Sequence, residues 1–266
     1  MIHKYFQEFD GVQMYSLGYA PLGIKDLLYS VYFFKIGDTL IDTGSRRTRA
    51  HLPEFNKGEI AQVLLTHFHE DHSGNAAHFK RKFNAPIYAH ELTKPFVEKG
   101  FPVQMYESIM FQSIEPCQTE AFPDSIELGG NKVEILHLPG HSVDHCCFYI
   151  PEKGHLFSGD LYVADKIKLW RKSEDLEEQI RSLNRLLQLD FDVLFCSHNP
   201  KLKNGKMHLR NKYNFLTEFR EQVLSYRDLP VDEIMKKLKL KEKHLEKWVS
   251  WGDVSVKNMV KAALKV

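Results

Sequence analysis

The amino-acid sequence predicts an α/β fold, a duplicated β-sandwich flanked by helices and followed by a helical tail. Three observations carry this expectation. The first sixty residues are β-like, the stretch from Ile60 to His198 alternates short apolar strands with polar loops and helices, and beyond Pro200 the apolar spacing is helical. In both halves strands lead into a histidine-bearing loop and then a helix, the recurrence that suggests duplication.

Element by element, residues 12–17, 30–36 and 39–41 are rich in β-branched and aromatic side chains, and Gly37-Asp38 supplies a hairpin turn between the last two. Residues 63–65 form an apolar strand, followed by a polar loop, a helix near 75–83 and a short strand at 86–89. Pro95, Pro102, Pro116 and Pro123 interrupt an aromatic and Met-rich segment, 91–124, which reads as a cap or lid. Strands resume at 125–128, 132–138, 146–150 and 155–157. A helix starting at Ser173 then places Leu176, Ile180, Leu183, Leu186 and Leu187 on one face. The last strand is 193–196. Helices follow at 208–226, 231–240, 243–251 and 255–264.

A chain of 266 residues with 43% hydrophobic content can bury a sizeable core. Lys+Arg 36 against Asp+Glu 35 excludes a globally basic nucleic-acid coat and an acidic tail protein. The balance conceals an asymmetry: residues 1–198 carry net −7 and residues 199–266 net +8. The expected organisation is a catalytic domain over 1–207 and a Lys-rich helical subdomain over 208–266. No apolar run is long enough to span a bilayer and the first ten residues lack a signal-peptide pattern, so the expected compartment is the cytoplasm and no membrane partner is expected. Cys117, Cys146, Cys147 and Cys196 lack metal-type or redox-type spacing and are expected to be reduced.

The chemistry concentrates at strand ends. Thr66-His67-Phe68-His69-Glu70-Asp71-His72 follows the strand at 63–65 and packs three imidazoles and two carboxylates into six positions. His67 and His69, at i and i+2, project to one side, and the following turn can bring Asp71 and His72 round to a neighbouring point. Such nitrogen and oxygen donors suit zinc and related divalent metals, and five are more than one ion needs. Pro139-Gly140-His141, Ser158-Gly159-Asp160 and Ser197-His198 each place one further ligand-type residue beyond an apolar strand.

Together with Asp42-Thr43-Gly44, this ordered set resembles the metallo-β-lactamase superfamily of hydrolases, glyoxalase II and the lactamase-β-like branch included, over about residues 10–200. The resemblance implies a four-layer αβ/βα sandwich with its site at one edge. It implies two zinc ions per chain, with manganese or iron as alternatives: His67, His69 and His141 on the first, Asp71, His72 and His198 on the second, Asp160 bridging. Asp42 would orient a ligand imidazole without touching metal. The implied activity is hydrolysis of an ester, thioester or lactone by a metal-bridged hydroxide, Asp71 passing a proton to the leaving group. Members that are true β-lactamases lack the bridging Asp, and flavodiiron-type members carry Glu where this chain has His69. Two departures from the common pattern are Ser73-Gly74-Asn75 in the metal loop and Cys196-Ser197-His198-Asn199-Pro200 around the last ligand.

The small-molecule substrate is not set by these motifs. A phosphodiesterase or endoribonuclease reading is the alternative, with RNA bound through the basic tail; a mono-iron dioxygenase of thiol or persulfide substrates is the third. The tail's Lys236, Lys237, Lys239, Lys241 and Lys243 interleave with Ile234, Leu238 and Leu240, as on any solvated amphipathic helix, and Arg is sparse. Tyr162, His145 and His90 lie close enough in sequence to contact substrate, but packing roles are expected for them.

Overall fold

The computed structural model describes residues 1–24 and 28–265; residues 25–27 and 266, which the two expected domains include, lie outside the described residues. Its first sheet runs β1 (Ile2–Phe9), β2 (Val12–Tyr19), β3 (Tyr29–Ile36), β4 (Thr39–Ile41), β5 (Gln62–Leu64), β6 (Ile87–Ala89) and β7 (Glu120–Ala121), in that spatial order. Pairing is antiparallel up to β4 and parallel beyond it. The switch falls where a long connection, residues 42–61 with a 3-10 turn at Arg46–His51, replaces a hairpin between β4 and β5, and the next parallel step, β5 to β6, crosses over through the first helix, α1 (Ala76–Phe83). Two short helices, α2 (Lys94–Lys99) and α3 (Met105–Met110), lie in the proline-interrupted segment.

The second sheet holds β8 (Ile126–Leu128), β9 (Asn131–His137), β10 (Cys146–Ile150), β11 (His155–Gly159) and β13 (Val193–Cys196), in the order β13-β11-β10-β9-β8. Between β11 and its parallel neighbour β13 come β12 (Trp170–Arg171) and the helix α4 (Leu176–Leu186). The C-terminal elements are α5 (Gly205–Leu224), α6 (Val231–Lys237), α7 (His244–Val249), β14 (Val254–Ser255) and α8 (Val256–Ala263). β14 pairs antiparallel with β12, tying the chain's end to the segment that follows β11.

Three hydrophobic clusters define the layers. Val12, Met14, Phe34, Ile41 and Leu64 of the first sheet meet Phe148, Ile150, Phe157 and Phe195 of the second, which is the sandwich interior. The outer face of the first sheet, Leu17, Phe33, Leu40 and Val63, is covered by Phe79 of α1 and Phe55. The outer face of the second, Cys147, Tyr149, Leu156 and Leu194, is covered by α4, α5, α6 and α8. Helix, sheet, sheet, helix is thus the expected αβ/βα sandwich. Successive residues of one strand serve opposite faces, as with Phe33 and Phe34.

The structure corrects the sequence reading at several element boundaries. β1 is an additional edge strand. Most of its residues are exposed, so it lacks the in-out alternation by which strands are recognised. The helix expected from Ser173 begins at Leu176, with Asp175 as its cap accepting from the Glu178 amide at 2.9 Å. Glu174 is drawn inward, accepting from the Gln179 side chain at 2.6 Å, so the residues next to Ser173 are pulled out of helical register. α5 starts at Gly205, where a Cβ would stand 2.6 Å from the Asp192 carbonyl oxygen, so only glycine fits there. The four cysteines are unpaired, as expected. No described helix is long and apolar enough to cross a membrane.

Candidate metal centre

The site forms where loops leave the C-terminal ends of β5, β11 and β13 and the loop joining β9 to β10. His67, His69 and His141 converge: His69 Nδ1 lies 2.9 Å from His67 Nε2 and 3.0 Å from His141 Nε2. Asp71, His72, Asp160 and His198 form a second group, and within each group the ligand-type atoms lie within 4.8 Å of one another. Asp160 reaches both groups. Its Oδ2 is 3.2 Å from His198 Nε2 and 3.6 Å from His141 Nε2, and its Oδ1 is 3.4 Å from His72 Nε2. All seven sequence-predicted ligand residues are therefore brought together.

Three of the imidazoles are held by their other nitrogen, the arrangement that fixes a tautomer and aims the remaining lone pair. His72 Nδ1 is 2.8 Å from Asp42 Oδ2, His67 Nδ1 is 3.0 Å from Thr66 Oγ1, and His198 Nδ1 is 2.8 Å from the Ser30 carbonyl oxygen. Asp42 in turn accepts from the Thr66 amide and hydroxyl, each at 2.8 Å. Asp42 itself is fully buried at φ +60°, a backbone position that few non-glycine residues take outside functional sites. His141 Nδ1 faces Glu174 Oε2 at 3.9 Å.

The two departures from the common loop pattern have structural partners. Ser73 Oγ donates to the carbonyls of Phe68 and His69, at 2.7 and 3.1 Å, and Asn75 Nδ2 donates to those of Thr43, Gly44 and Ser45. Gly74 between them is required by close approach: a Cβ there would meet the Glu70 carbonyl oxygen at 2.4 Å and the Arg46 amide at 2.6 Å. After the last predicted ligand, the Asn199 amide donates to Cys196 Sγ at 3.3 Å, which closes the turn that presents His198.

Burial, together with the neighbouring imidazoles, holds His67, His69 and His141 well below the ordinary imidazole pKa, so they are neutral donors at pH 7. His72 goes the other way: burial lowers it, but Asp71, Asp160 and Asp42 together raise it well above its usual value. For Asp160 burial is outweighed by His198 and His72, which hold the carboxyl well below the carboxylate range. Among the described residues, His72 Nε2 and Asp160 Oδ1 are buried without a hydrogen bond. Unpaired buried polar atoms are costly, and a divalent cation would satisfy them, taking the place of the proton on His72 among the carboxylates and accepting the lone pairs of the neutral His67, His69 and His141. The donor set therefore fits a metal cofactor.

Sequence reasoning missed the residues around this group. Tyr29 donates its hydroxyl to Asp71 Oδ2 at 3.1 Å and sits 2.9 Å from His198 Nε2. A cavity of about 570 Å³ opens on His69, Asp71, His141, Asp160 and His198 and extends past Arg171, Glu174 and Lys212. None of these could be found from local spacing, since each arrives from a different element. Of the residues expected to pack, His145 is buried and its Nε2 accepts from the Asp160 amide at 3.2 Å, Tyr162 donates to Asp165 at 2.6 Å, and His90 stacks on His137. The 91–124 segment divides its aromatics, with Phe96 and Phe101 against Phe68 while Phe111 lines the cavity.

The fold and this donor set define a metallohydrolase-type sandwich. The model of the metallo-beta-lactamase superfamily matches residues 31–198, and the chain belongs to that superfamily. An atrochrysone carboxyl ACP thioesterase from Aspergillus fumigatus is 28% identical over 70% of this chain and 54% of its own length. A hydroxyacylglutathione hydrolase from Bdellovibrio bacteriovorus is 30% identical over 56% of this chain and 53% of its own. The chain thus spans about half the length of these curated relatives. Among solved structures, a metallo-beta-lactamase family protein from Thermus thermophilus shares the fold at TM-score 0.64, with 22% identity over 96% of this chain and 92% of its own. TTHA1623, solved in a di-iron-bound form, aligns at TM-score 0.53 with 27% identity, covering 71% of this chain and 94% of that one.

Proposed function

We propose that this chain is a metal-dependent hydrolase of thioesters, a class that extends to esters and lactones, and that it works with two zinc ions. His67, His69 and His141 would hold the first, Asp71, His72 and His198 the second, with Asp160 shared. The single observation that carries this reading is the position of Asp160, whose two oxygens face His72, His141 and His198 from both groups. Held by these residues, such ions would provide a water-derived nucleophile at neutral pH and polarisation of the carbonyl under attack. The same nitrogen and oxygen donors suit manganese and iron.

The chain's own residues do the rest. Asp42, Thr66 and the Ser30 carbonyl keep the imidazoles aimed. Asp71, already accepting from Tyr29, holds a carboxylate where a proton can be taken up and passed to the leaving group, and the Tyr29 hydroxyl stands in the same cavity as a second donor. Thioesterase and hydroxyacylglutathione hydrolase relatives support the thioester class. The largely apolar cavity supports it over phosphodiesters or RNA, whose backbones call for uncommitted cations.

The test is a panel of thioesters, lactones, phosphodiesters and single-stranded RNA, run on zinc-loaded protein with and without chelator. Chelator-sensitive thioester turnover is expected. Turnover of phosphodiesters alone, or oxygen uptake with one iron per chain, would overturn the reading.

A further inference from the structure

Beyond the metal centre, the cavity wall is made by Met110 at the end of α3 and Phe111 just after it, Val163 and Leu169 in the segment between β11 and β12, Trp170 of β12 and Val254 of β14. The polar side chains on this wall are engaged with the protein. Arg171 pairs with Glu107 at 3.0 Å, and Lys212, itself buried, donates to the Leu161 carbonyl at 2.7 Å. Glu174 accepts from Gln179, Tyr106 donates to Asp253 at 3.0 Å, and Ser250 bonds within its own turn. A ligand entering this space meets donors and carboxylates at the metal end and mostly hydrocarbon elsewhere. A second charge on the ligand would have to leave water for a wall that is mostly hydrocarbon, whereas methylenes gain by leaving water.

We infer that this cavity is the acyl site of the proposed thioesterase, and that the acyl group it takes is uncharged, apolar and of medium length or aromatic. The inference rests on the thioester reading and adds to it the chemical class of the acyl half. The C-terminal segment is part of the site. The β12-β14 ladder pairs Trp170 with Ser255 and Arg171 with Val254, so the chain's end closes one side of the cavity. The residues that select the acyl group thus come from the 91–124 segment, from 161–171 and from the tail, and none of them is a predicted metal ligand.

The experiment measures kcat/KM on zinc-loaded full-length protein for N-acetylcysteamine thioesters of acetyl, butyryl, hexanoyl, octanoyl and succinyl groups. Calorimetric affinities are measured in parallel for the uncleavable S-ethyl and S-octyl thioethers. The expected result is a rise in kcat/KM of about fourfold for each buried methylene up to the limit of the cavity, with succinyl at least about tenfold below butyryl. S-octyl should bind at least about a hundredfold more tightly than S-ethyl. Val163→Trp should shift the best substrate to a shorter chain.

Acetyl cleaved as well as octanoyl, or equal binding of the two thioethers, would overturn the acyl-site inference and leave the hydrolase reading intact. Tight S-octyl binding without turnover of any thioester would support the cavity's preference and overturn the hydrolase reading instead.

Discussion

Asp42→Asn isolates the orienting role of one buried carboxylate. Asp42 accepts three hydrogen bonds near the site, from the Thr66 amide, the Thr66 hydroxyl and His72 Nδ1, all at 2.8 Å. Asparagine matches it in shape and tolerates the left-handed backbone at φ +60°, so the loop should survive. Its amide oxygen can still accept from the Thr66 amide, but its NH₂ then faces the Thr66 hydroxyl and His72 Nδ1, and one donor is left facing another. That costs roughly 1–3 kcal/mol if nothing moves. The cheaper response is for His72 to shift its proton from Nδ1 to Nε2, the nitrogen 3.4 Å from Asp160 Oδ1. A protonated Nε2 cannot ligate.

Affinity at the group containing Asp71, His72 and His198 should therefore fall by about 10–100-fold, the usual cost of losing such a partner. The group of His67, His69 and His141 should lose less. Zinc titration against a chromophoric chelator reads the two affinities separately, and thermal melting of the metal-free protein reads the fold. A variant that folds and binds both equivalents as the parent does would refute the orienting role.

Other perturbations bear on the same account. Asp160→Ala should remove at least one metal per chain and nearly all turnover, seen by elemental analysis and thioester assay; retained activity would show that Asp160 is not shared. Gly74→Ala forces a Cβ against backbone at 2.4 Å and should cost at least about 3 kcal/mol in urea unfolding. Tyr29→Phe removes the hydroxyl beside Asp71 and His198 and should lower kcat more than it raises KM.

His145 gives a pH signature in the metal-free protein. Burial pushes its pKa down to about 3. The unfolded chain takes up this proton near pH 6.5 while the native one refuses it, so the contribution of His145 is lost as pH falls from about 6.5 toward 3. Relative to His145→Gln, the parent should lose stability by about 1.4 kcal/mol per pH unit over that window; a constant difference would contradict the assignment.

The predicted metal ligands were legible as donor residues that each follow an apolar strand and sit beside glycine, serine or another ligand; their roles, the site at one sheet edge and the orienting role of Asp42 came from the resemblance of the ordered motifs to the metallo-β-lactamase superfamily. Tyr29, Glu174 and Lys212 were not legible. Tyr29 looks like an ordinary strand residue, Glu174 like a helix-start carboxylate, and Lys212 like one of many tail lysines. Only packing turns them toward the cavity. The two-residue strands β12 and β14 were equally hidden, since so short a ladder leaves no periodicity, yet their pairing brings the tail to the cavity. The basic excess of residues 199–266 likewise gave no sign that Lys212 would be buried.

The central claim, a two-metal centre built by seven residues, is tested most directly by elemental analysis of the reconstituted, desalted full chain. The account predicts about two zinc-class ions per chain. A protein that retains none after reconstitution, or a single iron with oxygen uptake, would contradict it.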